Sequence, residues 1–396
     1  MKKAYPEIFL KAGRETTLLR GHPWIFSGAV EYAPADLDAG EVVVAVSRGR
    51  RPVALGFFNP RSDITFRLLT TDTGTTIDST FWSRRIKEAA ALRERVVPPR
   101  TSAYRLINAE GDLMPGLIVD RYGDHLVLSM DTAGIERRRE EIMDILIRQM
   151  QPSVIYERSD GRARRREGLP SSVGPVFGTS PRANIVIEEN GLSFEVDCVS
   201  GQKTGFFLDQ RSNRTEVEKL SEGAIVLNCF SYTGAFSVYC ARGGAKRIVS
   251  VEASSGAAEV ARRNLEKNGY SSDRHPVVQA DVFEYLRGTT DVFDLIIMDP
   301  PAFAKSHADL RGAERGYRDI NLWAARRLRN GGILATFSCS NHVGRDLFEK
   351  IVLNAICDAG RTARLLACLG SGPDHPTTLA HVEGRYLKGL LLCVTG

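Results

Sequence analysis

The first 197 residues contain no cysteine, and the seven that follow, from Cys198 to Cys393, include no Cys-x-x-Cys pair. An odd, scattered set of thiols argues against a disulfide framework or a cysteine zinc site and fits a reducing compartment; no metal is expected. Long apolar runs are missing too. Nothing approaches the roughly 18 apolar residues of a membrane span, and Met1-Lys2-Lys3 leads into no apolar signal segment, so a cytoplasmic protein with no membrane partner is expected. Neither sign of charge dominates: 53 Lys and Arg face 48 Asp and Glu, a net +5. Any nucleic-acid contact must therefore rest on local clusters. Internal repeats and low-complexity stretches are also lacking.

What is present is a chain of 396 residues, too long for one ordinary core. Residues 1–75 read as a small β-barrel, with apolar runs at 41–47, 52–58 and 64–69 bounded by turn signals. Residues 76–190 read as a central α/β domain. A helix over 78–96 stops at Pro98-Pro99, a hairpin turns at Tyr122-Gly-Asp124, and a helix over 134–149 leads to a strand at 153–157. The Arg-, Gly- and Pro-rich segment 158–182 has no period and is expected to be a loop. It carries Arg162, Arg164, Arg165 and Arg166, the best candidate cluster for RNA phosphates, although a solvated face explains it as well. Residues 191–396 alternate strand and helix. Seven candidate strands imply a Rossmann-like, mostly parallel sheet with ligands at its C-terminal strand ends.

Four places in this last domain carry chemistry. The first strand runs into Asn228-Cys-Phe-Ser-Tyr-Thr-Gly234, a small-residue turn that lets backbone approach a ligand. The second ends at Glu252, where an acidic residue accepts hydrogen bonds from ribose hydroxyls, and the third is followed by Asp281, which can accept from an adenine amino group. Either carboxylate could instead cap the next helix. Taken in order they point to an adenosine-containing ligand, and the single glycine favours S-adenosylmethionine over a dinucleotide. Asp299-Pro-Pro ends a strongly apolar strand. Its prolines make a rigid lip on which Asp299 can hold the polar edge of a flipped base while Phe303 stacks on its face. Finally, Phe337-Ser-Cys-Ser-Asn341 closes the next strand and sets Cys339 across the cleft from Asp299. Carbon 5 of a pyrimidine is too weakly nucleophilic to be methylated unaided, and a thiolate added at carbon 6 activates it. A free thiol of pKa about 8.5 needs help to ionise at neutral pH.

These residues resemble the RlmI-type 23S ribosomal RNA (cytosine-C5) methyltransferases over nearly the whole chain. The resemblance is carried by Gly21-His-Pro-Trp-Ile-Phe26, Tyr156-Glu-Arg-Ser-Asp160, Lys203-Thr-Gly-Phe-Phe-Leu-Asp-Gln-Arg211, Asn228–Gly234, Met298-Asp-Pro-Pro301, Phe337-Ser-Cys-Ser340, Asp374-His-Pro376 and Gly384-Arg-Tyr-Leu-Lys-Gly389. It implies an N-terminal PUA domain, a central α/β domain and a class I methyltransferase domain with S-adenosylmethionine as cofactor. It further implies that Phe230, Ser231, Gly234, Glu252 and Asp281 line the cofactor site, with Phe207, Asp209 and Gln210 covering it, and that Asp299 holds a cytosine that Cys339 attacks. The partner implied is 23S rRNA, naked or in a large-subunit particle, with a homodimer as one option. Many cytosine-C5 methyltransferases have a second cysteine where this chain has Ala302, and neither Lys305 nor His342 is singled out as the base for the carbon-5 proton. Two alternatives are a relative that methylates guanine N7, which needs no thiol, and an RNA-binding factor that has only kept the fold.

Overall fold

A computed structural model describes residues 5–179, 184–304 and 306–396; Met1, Lys2, Lys3 and Lys305 lie outside them. The chain divides into two compact units. One comprises Met1–Ile187, Val196–Leu208 and Pro373–Gly384, the other Glu188–Glu195, Asp209–Gly372 and Arg385–Gly396.

The first unit holds two sheets. A six-stranded sheet has the order Trp24–Ile25, Phe66–Thr70, Pro52–Phe58, Glu41–Val46, Glu7–Leu10, Val30–Tyr32. Only the pairing of Glu7–Leu10 with Glu41–Val46 is parallel. A five-stranded sheet runs from Ala103–Asn108 through Leu117–Tyr122, His125–Met130 and Val154–Ser159 to Ser172–Phe177. The two expected domains, 1–75 and 76–190, thus each bring a sheet but belong to one unit. Leu55, Phe57 and Leu69 of the first sheet share a core with Trp82, Leu117 and Ile142 of the second region. Helix Ser79–Val96 starts where Asp78 accepts from the Phe81 N–H, and it buries Phe81, Trp82, Ile86 and Ala89.

Segment 158–182 is not a loop. It contains helix Arg162–Arg166 and strand Ser172–Phe177, and the reason is Arg164. This side chain is 2% exposed, and its guanidinium donates to the carbonyls of Met130 (2.5 Å) and Pro170 and to the Glu136 carboxylate (2.8 Å). An arginine with its donors spent inward cannot meet a phosphate, so Arg164 leaves the RNA-binding cluster. Arg162, Arg165 and Arg166 remain exposed. The helix expected over 134–149 is likewise two pieces, Ala133–Glu136 and Arg139–Met150.

The second unit is built on a seven-stranded sheet: β1 (Ile225–Cys229), β2 (Arg247–Glu252), β3 (Val277–Gln279), β4 (Phe293–Met298), β5 (Leu328–Ser338), β6 (Thr362–Leu369) and β7 (Lys388–Thr395). The order is β3-β2-β1-β4-β5-β7-β6, and β7 alone runs antiparallel to its neighbours. β1, β4 and β5 are apolar because helices cover both faces of a parallel sheet. Leu227, Ile296 and Leu334 pack with Tyr317, Ile320 and Phe348 of helices Leu310–Arg327 and Arg345–Asp358. Helix Leu310–Arg327 contains Gly312 and Gly316, which interrupt its apolar period. Among the described residues no helix is long and apolar enough to cross a membrane, and no group of three or more His, Cys, Asp or Glu could hold a metal. The inward role of Arg164 has a measurable consequence. Arg164→Ala should cost about 2–4 kcal/mol, read as a lower urea midpoint for the first unit, whereas Arg165→Ala should stay within about 0.5 kcal/mol of the parent.

Candidate active site

β1 ends in a turn that most residues avoid. Phe230, Tyr232 and Gly234 all have positive φ (57°, 47° and 78°), and non-glycine residues adopt this left-handed region only where surroundings enforce it. The Ser231 N–H donates to Val251 O, and the Tyr232 N–H to the Glu252 carboxylate at 2.8 Å, so β2 holds the turn in place. The other Glu252 oxygen accepts from the Ser254 N–H at 2.9 Å. Gly234 is required for closeness as well as for φ: a Cβ there would lie 2.9 Å from Ala261 Cβ. Asp281 does cap the next helix, accepting from the Glu284 N–H at 3.0 Å, yet it is exposed and its second oxygen stays available.

The neighbouring strand ends make the other half. β4 ends at Met298, opposite Thr336 of β5, so half-buried Asp299 and the two prolines emerge beside Ser338-Cys-Ser340. The half-buried Cys339 thiol donates to the Pro300 carbonyl at 3.9 Å, which brings the two sequence-predicted chemical elements together. The serines on either side turn away from the cleft. Ser338 donates to the Tyr317 hydroxyl and Tyr317 shares a second hydrogen bond with Ser340, each 3.0 Å, while the Ala304 N–H donates to Ser340 at 3.3 Å. Burial pushes the Tyr317 phenol up, so it stays neutral. Phe303 packs 4.7 Å from the Tyr317 ring and beside Phe230 and Phe283. Its expected stacking role is left to the part of its ring that is not covered.

A family model described as S-adenosylmethionine-dependent methyltransferase matches residues 138–376, and one described as a PUA-like domain matches residues 8–71. The chain is 44% identical to the Ribosomal RNA large subunit methyltransferase I of Aeromonas hydrophila, covering 97% of this chain and 98% of that relative. It is 41% identical to the protein of that name from Salmonella paratyphi B, over 97% and 96%. The chain belongs to this methyltransferase family. Its fold is that of a class I S-adenosylmethionine-dependent methyltransferase with an N-terminal PUA-like domain. A solved structure from Streptococcus mutans assigned as a methyltransferase superposes with TM-score 0.83 at 24% identity, covering 98% of this chain and all of that one. A second such structure, solved with SAH, gives 0.85 at the same identity and coverage.

The β1 turn fits the methyltransferase cofactor. The Ser231 and Thr233 hydroxyls are buried without a hydrogen-bond partner among the described residues, and two orphaned hydroxyls at a strand end are what a polar ligand group would satisfy. Glu252 and Asp281 stand at the next two strand ends, where ribose and adenine groups are held in this fold. Of the expected covering residues, Asp209 and Gln210 are buried within the second unit. Asp209 accepts from the Tyr386 hydroxyl, and Gln210 from the Asn213 side chain at 2.5 Å. Phe207 belongs to the first unit, where the Lys203 ammonium lies 4.5 Å from its ring centre. His342 is exposed beyond Ser340. Sequence reasoning assigned no role to Tyr317 or Lys388, whose partners Ser338 and Ser340 lie 21 and 48 positions away.

Gly234→Ala tests the turn directly. The added methyl meets helix Ser255–Lys267 at a positive φ, so stability should fall by about 1–3 kcal/mol. Titration calorimetry should read at least about a tenfold weaker affinity for S-adenosylmethionine. An unchanged affinity would detach the turn from the cofactor.

Proposed function

We propose that this methyltransferase modifies carbon 5 of a cytosine in large-subunit ribosomal RNA through a covalent adduct with Cys339. The single observation that carries the reading is the meeting of the Cys339 thiol with the Asp299-Pro-Pro lip. The names of the relatives support the RNA class, and the cytoplasm, where ribosomes are made, is the expected location. When bound, S-adenosylmethionine supplies an electrophilic methyl group. The Ser231 and Thr233 hydroxyls of the 230–234 turn would hold its carboxylate end, and Glu252 and Asp281 its adenosine.

The chain's own residues then act in order. Asp299 hydrogen-bonds the amino edge of the flipped cytosine and fixes its ring plane against the proline lip. The Cys339 thiolate forms a bond to carbon 6, and the electron pair displaced from the 5,6 double bond makes carbon 5 an enamine carbon able to accept a methyl group. Once the ring is methylated, loss of the carbon-5 proton re-forms the double bond and breaks the bond from carbon 6 to sulfur, returning the thiolate. Exposed Arg162, Arg165 and Arg166 would supply phosphate contacts that position the RNA without reading its sequence.

Cys339→Ala should lower methyl transfer to undermodified large-subunit rRNA by at least about 10³-fold while S-adenosylmethionine still binds. RNA containing 5-azacytidine has no carbon-5 proton to lose, so it should trap the wild-type protein covalently and leave Cys339→Ala free. Full activity in that variant, with the methyl group mapped to a guanine nitrogen, would refute the covalent reading. For the RNA contacts, replacing Arg162, Arg165 and Arg166 by Gln should flatten the slope of log affinity against log salt by about 2 to 3. An unchanged slope would make the cluster a solvated surface.

A further inference from the structure

Lys388 opens β7, and the antiparallel register sets it opposite Ser338, the last residue of β5. Its side chain is 5% exposed. Nζ donates to the carbonyl oxygens of Ser340 and Tyr386, each at 2.7 Å. The cation is therefore fastened to the backbone of the residue that follows Cys339, on a strand paired with the residue that precedes it. Both acceptors are neutral. Among the described residues no carboxylate pairs with this ammonium, and the third N–H has no acceptor. A buried charge without a counter-ion is costly, and a thiolate formed nearby would supply one.

The titratable groups that face it are few. Burial pushes the Lys388 ammonium down to about 8, the Arg345 guanidinium adds to that, and the Cys339 thiol acts in the opposite direction. Tyr317 also feels Cys339, and it is held neutral by burial. Two groups beside the sulfur do not stabilise a thiolate. The Ser338 and Ser340 hydroxyls are committed to Tyr317, and the Pro300 carbonyl facing the sulfur accepts from a thiol but repels a thiolate.

We propose that the Lys388 ammonium is the positioning charge that keeps Cys339 available as a thiolate. It makes no bond to substrate; it favours loss of the thiol proton to solvent, and the thiolate in turn favours the protonated amine. The inference rests on Cys339 being the nucleophile, but its test needs no RNA.

The full-length protein is alkylated with iodoacetamide across pH 6 to 10 (a range of about four units spanning the ordinary thiol value), and the rate at Cys339 is read by peptide mass spectrometry. Exposed Cys357 and Cys368 serve as internal references. Lys388→Met should raise the Cys339 midpoint by about one unit, making alkylation at pH 7 about tenfold slower, while Lys388→Arg should restore most of the rate. The reciprocal measurement uses the wild-type lysine: in Cys339→Ala, the Lys388 titration followed by NMR of its ε-carbon should move to lower pH. An unshifted Cys339 midpoint in a folded Lys388→Met, or, if that variant does not fold, an unmoved Lys388 titration in Cys339→Ala, overturns the proposal. A coupled pair in a protein whose Cys339→Ala variant still methylates RNA would instead leave the coupling standing and remove the nucleophile.

Discussion

The Tyr317 hydroxyl is the joint on which the cysteine end of the site depends. It sits on helix Leu310–Arg327 and bonds both serines that flank Cys339. A strand that ends in polar residues normally frays into solvent; here the two hydroxyls are drawn into the core and pin the residue between them. Buried hydrogen-bonded networks of this kind rigidify what they hold, because any other arrangement leaves polar groups unpaired. The same ring supports Phe303 at 4.7 Å, so one side chain steadies the thiol and the segment that follows the proline lip. Gly389 completes the arrangement from β7: any side chain there would meet the Phe337 ring at 2.6 Å, displacing the strand that carries Lys388.

The cofactor end is held by strain balanced against hydrogen bonds. Two non-glycine residues at positive φ in a five-residue turn are unfavourable by themselves, and the Glu252 carboxylate offsets this by accepting from the Tyr232 N–H. On the proposed cofactor reading, Glu252 therefore has two jobs that do not compete. One lone pair of the oxygen facing the turn fixes the backbone, and the remaining acceptor capacity of the carboxylate is what a ribose hydroxyl pair requires. This is why an acidic residue at the end of β2 suits the fold better than an amide would: the carboxylate accepts on every side and donates nothing.

How much of this was legible in the sequence varied with the range of the interaction involved. The strands of the second unit were readable because β1, β4 and β5 are buried on both faces and appear as unbroken apolar runs, and their C-terminal ends located Glu252, Asp299 and Cys339. The hairpin at Tyr122-Gly-Asp124 was readable because its signal is local. Arg164 was misread because five arginines within nine residues look alike in sequence, whereas only tertiary partners at Met130, Glu136 and Pro170 distinguish the buried one. Tyr317 carried no signal, and Lys388, although inside the Gly384–Gly389 motif, carried none for its contact with Ser340. A tyrosine in a helix with broken period and a lysine at the start of an apolar strand take their meaning from register: Ser338 opposite Lys388 is a fact of sheet pairing, not of spacing along the chain.

Ala302, half-buried just after the prolines, constrains the chemistry as much as the groups that are present. With a methyl side chain there, no second thiol can assist departure of the product, so on the covalent reading Cys339 must both attack carbon 6 and leave it. These demands differ. A lower thiol pKa improves the leaving group and enlarges the thiolate fraction, but weakens intrinsic nucleophilicity only partially, by a Brønsted slope of about 0.4–0.5. A fixed cation near the sulfur therefore favours both halves of the cycle. An ammonium brought down to about 8 by burial is still mostly protonated at neutral pH, so the same charge is in place when the carbon–sulfur bond forms and when it breaks. A single-thiol enzyme needs that constancy more than a two-thiol one, because it has no second group to take over between the steps.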